Sequence, residues 1–455
     1  MSLTSFMDKV ALTVGSKWVL TDPAALACYA RDASVASGRP LAVVLPGTTR
    51  EVADVLRLSA EAGVPVTPRG AGTGLAGGAV PVDGIVLALT RMRGLDIHAG
   101  DFVAVAGAGT VTGEIHFAAE SAGLFYPPDP SSASVSTIGG NIATNAGGPH
   151  GFKYGVTRDY LLGLEVVLAD GTVIHTGGRT LKNATGYNLT ALLCGSEGTL
   201  GVITQAILRL IPRPEERAGV FALFAELDAA SQAIFKVIAA GIAPAALEIV
   251  DRTALACAFG ETLSDPGAAA LLVETDGPRE VVSRQTAEVE ALCRRSGAAD
   301  IRLVAGNQVE ELYRLRRAIS GALVRLYPVK IGEDVAVPLS RVQEFIKEIS
   351  SISAKTGVKI AVFGHAADGN LHPNILYNPH ETNTEHVNAA VAGIFRAALS
   401  HGGTLSGEHG VGVLKKSYFE EALGTDTVNL MRGIKKLFDP RGLLNPGKIW
   451  PADGE

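Results

Sequence analysis

The sequence predicts an α+β fold built in more than one domain, on three observations. As far as Pro214, short β-rich runs alternate with glycine-rich loops. Beyond that point strands alternate with longer amphipathic helices. The chain has 455 residues, more than one hydrophobic core ordinarily organises.

In the first region "PLAVVLPG" reads as a strand. A helix follows it, opened by the capping box Thr48–Glu51, with Val52, Val55 and Leu56 on one face. "GVPVTPRG" reads as the next strand, and "LEVVLADGTVIHTGG" as a hairpin around Asp170-Gly171. The long stretch from Gly139 to Gly201 is otherwise turn-dense. Pro212 and Pro214 mark a boundary. After it "GVFALFAEL", "ALEIVD", "ALLVETDG", "EDVAVP" and "VKIAVFGH" read as strands. Helices fall between them, the first with Asp228 as its N-cap. This pattern predicts helices packed on one face of a mainly antiparallel sheet. The tail "FDPRGLLNPGKIW" mixes turn residues with Phe, Leu and Trp, and is expected to pack rather than dangle.

Composition excludes several classes. Apolar residues make up 47%, charged residues 19%, and 53 residues are glycine, which is a globular rather than a disordered balance. The net charge is -6, with no basic run and no aromatic-basic interleaving, so nucleic acid is not an expected partner. No stretch approaches ~18 uninterrupted apolar residues, so no membrane span is expected. Cys28, Cys194, Cys257 and Cys293 are far apart and form no C-x-x-C, which argues against a disulfide framework, a cysteine zinc site or an iron–sulfur cluster. The N-terminus does not read as a secretory signal. A reducing, cytoplasmic setting, peripheral to a membrane at most, is the expectation.

"PRGAGTGLAGGAVP" contains G-x-G-x-x-G from Gly72 to Gly77, which as a bare pattern is a dinucleotide fingerprint. That fingerprint needs a helix starting inside it. Here Gly77-Gly78 and Pro81 oppose helix, and "DGIVLALTRM" reads as another strand. The loop therefore joins strand to strand, and its crowded N–H groups can still hold an anion as a nest. Alone, it would be an irregular turn. Two further stretches, "STIGGNIATNAGG" and "CGSEGTLGVIT", repeat the mixture of glycine and hydroxyl residues.

With these three segments and the tail motif "LLNPGK", the chain resembles the flavin-binding oxidoreductases typified by vanillyl-alcohol oxidase. The resemblance implies an FAD-binding domain of two α+β subdomains over 1–214. It also implies an α+β cap domain with an antiparallel sheet over 215–408, and a C-terminal segment, 409–455, returning to the FAD domain. Gly70, Gly72, Thr73, Gly74, Gly77 and Gly78 would face the FAD pyrophosphate, with Pro68 and Arg69 positioning their loop. Ser136, Gly139, Gly140, Asn141 and Thr144 would line the isoalloxazine and ribityl region. Gly198, Thr199, Ile203 and Asn445 would complete the site. His150 and Cys194 do not match a covalent linkage motif, so FAD is expected to be non-covalent.

"FGHAADGNLHPN" brings His365 and His372, with Asp368 and Asn374 close by, and "SGEHGVG" adds Glu408 and His409. Two loop histidines alone could simply satisfy backbone groups. Two imidazoles with a carboxylate make a borderline divalent-metal set. Glu408 and His409 are neighbours that regular backbone would point apart, which favours separate tasks. Within the flavoproteins, "GHxxDGNxH" and "EHGVG" look like marks of the D-2-hydroxyacid dehydrogenase branch, which includes glycolate oxidase flavin subunits. By that similarity His365, His372 and Glu408 would hold the metal (zinc, or else manganese or iron). His409 would be the base, and Asn374 would sit beside the substrate. Among the arginines of "ELYRLRRAISGALVRL", the family pattern points to Arg316 as the carboxylate clamp. Ser320 and Lys330 hint at a second carboxylate.

The reaction so implied is oxidation of a D-2-hydroxy acid (D-lactate, glycolate or D-2-hydroxyglutarate) to the 2-keto acid. It would proceed by metal-assisted proton abstraction and hydride transfer to flavin N5. Electrons would leave to an external acceptor: a quinone, an electron-transfer flavoprotein, a cytochrome or a partner subunit. A homodimer is compatible with the sequence. Two alternatives stay open, a metal-independent FAD alcohol oxidase and a non-catalytic FAD-binding subunit of a glycolate oxidase-type complex.

Overall fold

Three stretches of chain build the first of two units: Met1–Ala146, Val156–Arg213 and Glu408–Glu455. Gly147–Gly155 and Pro214–Gly407 build the second. The computed structural model describes residues 1–259 and 269–451.

The first unit contains two principal sheets. One is four-stranded, in the order Val19–Leu20, Ala42–Val44, Ile85–Ala88, Val66–Arg69. The other is five-stranded and antiparallel, in the order Leu95–His98, Val103–Gly107, Val202–Arg209, Leu161–Val167, Val173–Gly177. These correspond to the two expected α+β subdomains. The helix Thr49–Ala62 starts as its capping residues predict: Glu51 N donates to Thr48 Oγ1 at 3.2 Å. The Glu51 carboxylate reaches one residue further back, accepting from Gly47 N at 2.6 Å. Val52, Ala53, Val55 and Leu56 form its buried face. The predicted hairpin is present, its turn tightened by Thr172 N donating to Asp170 Oδ1 at 2.8 Å.

Val66–Arg69 and Ile85–Ala88 pair in parallel, a connection that helices commonly make. Here residues 70–84 cross over without a helix, as the glycine and proline pattern requires. The second glycine stretch differs from its reading as turns, because Ile138–Thr144 is a short helix. Gly139 makes this fit. Its N–H donates to Ala108 O at 2.9 Å, and a Cβ on it would lie 2.8 Å from the Ala108 Cβ. Glycine there serves close packing, which outweighs its poor helix propensity. The tail packs as expected: Val66 N donates to Leu443 O, and Asn445 N to Val66 O, both at 2.8 Å.

The second unit is organised on one eight-stranded sheet in which every pairing is antiparallel. Its main order is Ala298–Ala305, Glu216–Phe224, Ala269–Gly277, Ala246–Asp251, Lys359–His365, Asn370–Tyr377, Val329–Gly332. Helices cover both faces, which corrects the one-faced expectation. Arg279–Arg295 crosses one face, where Thr286 Oγ1 and Thr275 Oγ1 are 2.8 Å apart. Arg252–Phe259 and Asn307–Leu326 cover the other, packing Ala254, Leu255, Ile319 and Leu323 on Val250, Phe363 and Leu376. The physical reason lies in the central strands. Ala269–Gly277 is buried at every residue but the last, so neither face can meet water. A second correction concerns Asp228. The helix Leu227–Ala239 has Glu226 at its N-cap position, and Asp228 sits inside the first turn, 2.9 Å from Lys347 Nζ.

Thr48→Ala removes the side-chain acceptor at the Thr49–Ala62 N-terminus and is expected to cost about 1 kcal/mol in chemical denaturation, with Thr48→Ser restoring most of it. An unchanged midpoint in the alanine variant would show that the cap is not stabilising.

Candidate functional site

In the first unit the three glycine stretches come together. A Cβ on Gly70 would lie 2.2 Å from Thr137 Oγ1, at the entry to the Ile138–Thr144 helix. A Cβ on Gly198 would lie 3.2 Å from the Pro68 ring. Arg69 runs beneath the first loop, donating from Nη1 to Ala79 O at 3.3 Å and stacking 5.3 Å from the Tyr29 ring centre. Above it Gly72 and Gly77 take left-handed φ values of 73° and 79°, with Thr73, Gly74 and Gly78 between and after them. Asn445 ties the first and third loops together, donating from Nδ2 to Gly78 O at 2.9 Å and to Glu197 O at 2.6 Å.

Several predicted cofactor residues turn out to brace their own loops. Asn141 Nδ2 donates to Thr112 Oγ1 at 2.6 Å, and Ser136 Oγ lies 3.3 Å from the same oxygen. Thr144 Oγ1 donates to Gly140 O at 3.3 Å, and Thr199 Oγ1 to Ser196 O at 2.7 Å. Ile203 is buried within its strand. A cleft of about 690 Å³ opens beside Ala71 and Thr137, of the size that cofactors occupy. Thr137 Oγ1 is buried and has no hydrogen-bond partner among the described residues, which is unusual for a hydroxyl. A cleft that borders the first two loops, with a buried hydroxyl at its edge, fits an extended polar cofactor such as FAD. Cys194 lies in this unit, and burial pushes its thiol up to about 12, an inert range for covalent attachment. His150 belongs to the second unit, with Nε2 3.9 Å from Glu274 Oε2.

Glu197 has a left-handed φ of 51° and points its carboxylate at the "HGVG" segment. It accepts from Val411 N at 2.7 Å and from Gly412 N at 2.8 Å. Burial pushes this carboxyl up, against the two backbone donors, Lys415 and Lys448. Burial likewise brings Lys448 down to about 8, with Glu197 opposing. Glu197 thus anchors the segment that begins with Glu408 and His409. His409 Nε2 lies 3.8 Å from Glu408 Oε1. The expectation that these neighbours point apart is corrected: the segment is irregular, so the alternation of regular backbone does not govern it.

In the second unit the strand register assembles the other group. Glu248 is the cross-strand partner of His365, Phe363 of His372, and Ala361 of Asn374, so all project from one face. The His365 and His372 rings are perpendicular with centres 5.2 Å apart. His365 Nδ1 is hydrogen-bonded to Glu248 Oε1, and Arg316 Nε donates to Glu248 Oε2 at 2.7 Å. Burial would push the Glu248 carboxyl up; His365 and Arg316 outweigh it and hold the carboxyl below its ordinary range. Arg316 also lies over the Phe363 ring at 4.4 Å. Arg314 and Arg317, by contrast, pair with Glu311 and Glu310 on the exposed side of the same helix. One turn beyond Arg316, Ser320 Oγ accepts from Lys330 Nζ at 2.6 Å, and burial lowers the Lys330 pKa. Asn374 is buried, with Nδ2 donating to His372 O at 2.6 Å. His372 Nδ1 lies 3.6 Å from Asp334, which also accepts from Asn370 Nδ2 and Ser406 Oγ, each at 2.6 Å.

Arg316, Ser320, Lys330, His365, His372 and Asn374 are therefore gathered in one unit, and Glu408 and His409 are carried by the other. Sequence reading missed Thr137, Glu197, Glu248 and Asp334. Two left a trace: Glu248 interrupts the apolar run "ALEIVD", and Asp334 adjoins "VAVP". A carboxylate inside a buried strand needs a partner, and that is the available signal.

Comparison with known proteins adds two family matches. The family described as FAD linked oxidases, C-terminal domain, matches residues 213–449, and the FAD binding domain family matches residues 40–177. The glycolate oxidase subunit GlcD of Bacillus subtilis is 44% identical over 424 residues, covering 91% of this chain and 90% of the relative. A D-lactate dehydrogenase of Archaeoglobus fulgidus is 38% identical, covering 90% of each chain. A D-2-hydroxyglutarate dehydrogenase of Xanthomonas citri pv. viticola is 36% identical, covering 94% of this chain and 93% of the relative. Among solved structures, p-cresol methylhydroxylase with substrate bound has a TM-score of 0.81 at 18% identity, covering 99% of this chain and 98% of that one. A 4-ethylphenol oxidase from Gulosibacter chungangensis has a TM-score of 0.80 at 21% identity, with the same coverage.

Gly70→Val would drive a side chain into Thr137 and spread the first and second loops. The flavin-to-protein ratio of the purified variant is expected to fall about tenfold, the scale of a moderate overpacking penalty. Gly94→Ala, whose Cβ would meet nothing within 4 Å, is the control and should keep its flavin. Full flavin in Gly70→Val would remove the three-loop cradle from the binding site.

Proposed function

The chain belongs to the FAD-linked oxidase family, and on that premise we propose that it oxidises a D-2-hydroxy acid to the 2-keto acid. D-lactate, glycolate and D-2-hydroxyglutarate are the candidate substrates, in keeping with the relatives' names. One observation carries the reading. The sheet face that bears the paired imidazoles of His365 and His372 is the face on which Arg316, a carboxylate-binding side chain, is seated.

In this reading FAD is held non-covalently by the glycine loops and supplies a two-electron acceptor for the C2 hydride. A divalent metal, zinc or else manganese or iron, would be held by His365, His372 and Glu408, and would supply Lewis-acid polarisation of the C2 hydroxyl. Two imidazoles with a carboxylate are a donor set suited to such an ion. His409 takes the hydroxyl proton, as a general base. Arg316 binds the substrate carboxylate with its terminal nitrogens, since Nε is engaged by Glu248. Asn374 lies beside the substrate and orients it. Lys330 and Ser320 receive a distal carboxylate when the substrate has one. Electrons pass on to an external acceptor, a quinone, an electron-transfer flavoprotein, a cytochrome or a partner subunit. No helix among the described residues is long and apolar enough to cross a membrane.

Mixing the flavin-loaded protein anaerobically with D- and L-2-hydroxy acids should bleach the flavin with the D enantiomers. His409→Asn should slow bleaching by about 10²–10⁴-fold. Bleaching of that variant at the wild-type rate would sink the base assignment. Chelation by EDTA should abolish turnover, and undiminished turnover would favour a metal-independent alcohol oxidase instead.

A further inference from the structure

We infer that Glu248 is a positioning residue that fixes His365 and Arg316 relative to each other, with one carboxylate oxygen assigned to each. The inference rests on the function proposed above and extends it to a residue whose two carboxylate oxygens are both taken by protein groups.

The geometry is specific. Glu248 sits on an interior strand of the sheet, 1% exposed, directly across from His365 in the register. Its Oε1 takes His365 Nδ1, and its Oε2 takes Arg316 Nε at 2.7 Å. Two consequences follow. A carboxylate accepts only, so Nδ1 of His365 carries a proton, and in the neutral imidazole the lone pair that a metal requires is then on Nε2. Carboxylate–imidazole pairs of this kind orient ligating histidines and raise their basicity. On the other arm, Nε of Arg316 is occupied and its plane lies over Phe363 at 4.4 Å. The two terminal nitrogens, the fork that pairs with a carboxylate, are then the groups left for substrate. One side chain thereby sets the ligand tautomer and the clamp angle together. A plain charge-compensation role would need only proximity to Arg316. It gives no reason for the second oxygen to be spent on His365.

The test uses the full-length, FAD-loaded protein and zinc as the probe, with affinity measured by competition against a chromophoric chelator. Glu248→Gln keeps the shape and loses the charge. It is expected to weaken zinc binding by about tenfold to a hundredfold while the flavin content is retained. The KM for the 2-hydroxy acid should rise as well, because the Arg316 arm loses its counter-charge. A buried Arg316 without its counter-charge can prevent folding. The Glu248→Gln/Arg316→Met double variant leaves no charge uncompensated, and it should still show the loss of zinc affinity through the His365 arm. Zinc affinity within about threefold of wild type in either folded variant overturns the inference and leaves the proposed function standing, since outer-shell partners of a ligating histidine matter by more than that. A wild-type protein that takes up no zinc, manganese or iron overturns the metal-assisted reading and this inference with it.

Discussion

A buried carboxylate must be paired, and the candidate chemistry of the second unit is arranged around that constraint. Removing an ion from water costs several kcal/mol, which is recovered only through close, well-directed partners. Glu248 meets it with His365 from the adjoining strand and Arg316 from the overlying helix. For Arg316 to arrive, the helix Asn307–Leu326 must lie on that face, and Ile319 and Leu323 anchor it there against Phe363 and Leu376. The same placement brings Ser320 to Lys330. The packing of one helix and the pairing of one carboxylate are thus a single requirement.

The first unit obeys a different constraint, the approach of backbone to backbone. Gly70 against Thr137, Gly139 against Ala108 and Gly198 against Pro68 are contacts that a Cβ would obstruct. A cleft borders the first two loops at Ala71 and Thr137, and its edge carries the Thr137 hydroxyl, which has no hydrogen-bond partner among the described residues. Glu197 is a buried carboxylate of this unit, and it accepts from main-chain N–H groups. By bonding the N–H groups of Val411 and Gly412 it fixes the peptide path just after His409. Glycine at 410 is part of that arrangement, because a Cβ there would lie 2.9 Å from the Glu197 carboxylate.

Much of the fold was legible in the sequence because it rests on local chemistry. Thr48, Asp170-Gly171 and the glycines with Pro81 act on neighbours within a few residues, and the helix, hairpin and helix-free crossover they predict are all present. The failures lie where packing overrode propensity. "STIGGNIATNAGG" is glycine-rich enough to read as turn, yet it forms a helix because Ala108 rewards a bare backbone. Asp228 has the chemistry of an N-cap and sits two residues too deep, held by Lys347 from another helix.

The sequence alone determined the residue types proposed for the site and the loops that carry them: the glycine stretches, His365, His372, Asn374 and the Glu408-His409 pair. It could do so because those motifs are contiguous, and their chemistry is stated by type and spacing. Only the tertiary structure decided which arginine of the helix faces inward, which oxygen of Glu248 serves which partner, and that Ser136 and Asn141 brace the loops. Those assignments depend on strand register and helix placement between residues 24 to 117 positions apart. Such separations carry no periodic or compositional signal, because the contacts exist only after the chain has folded.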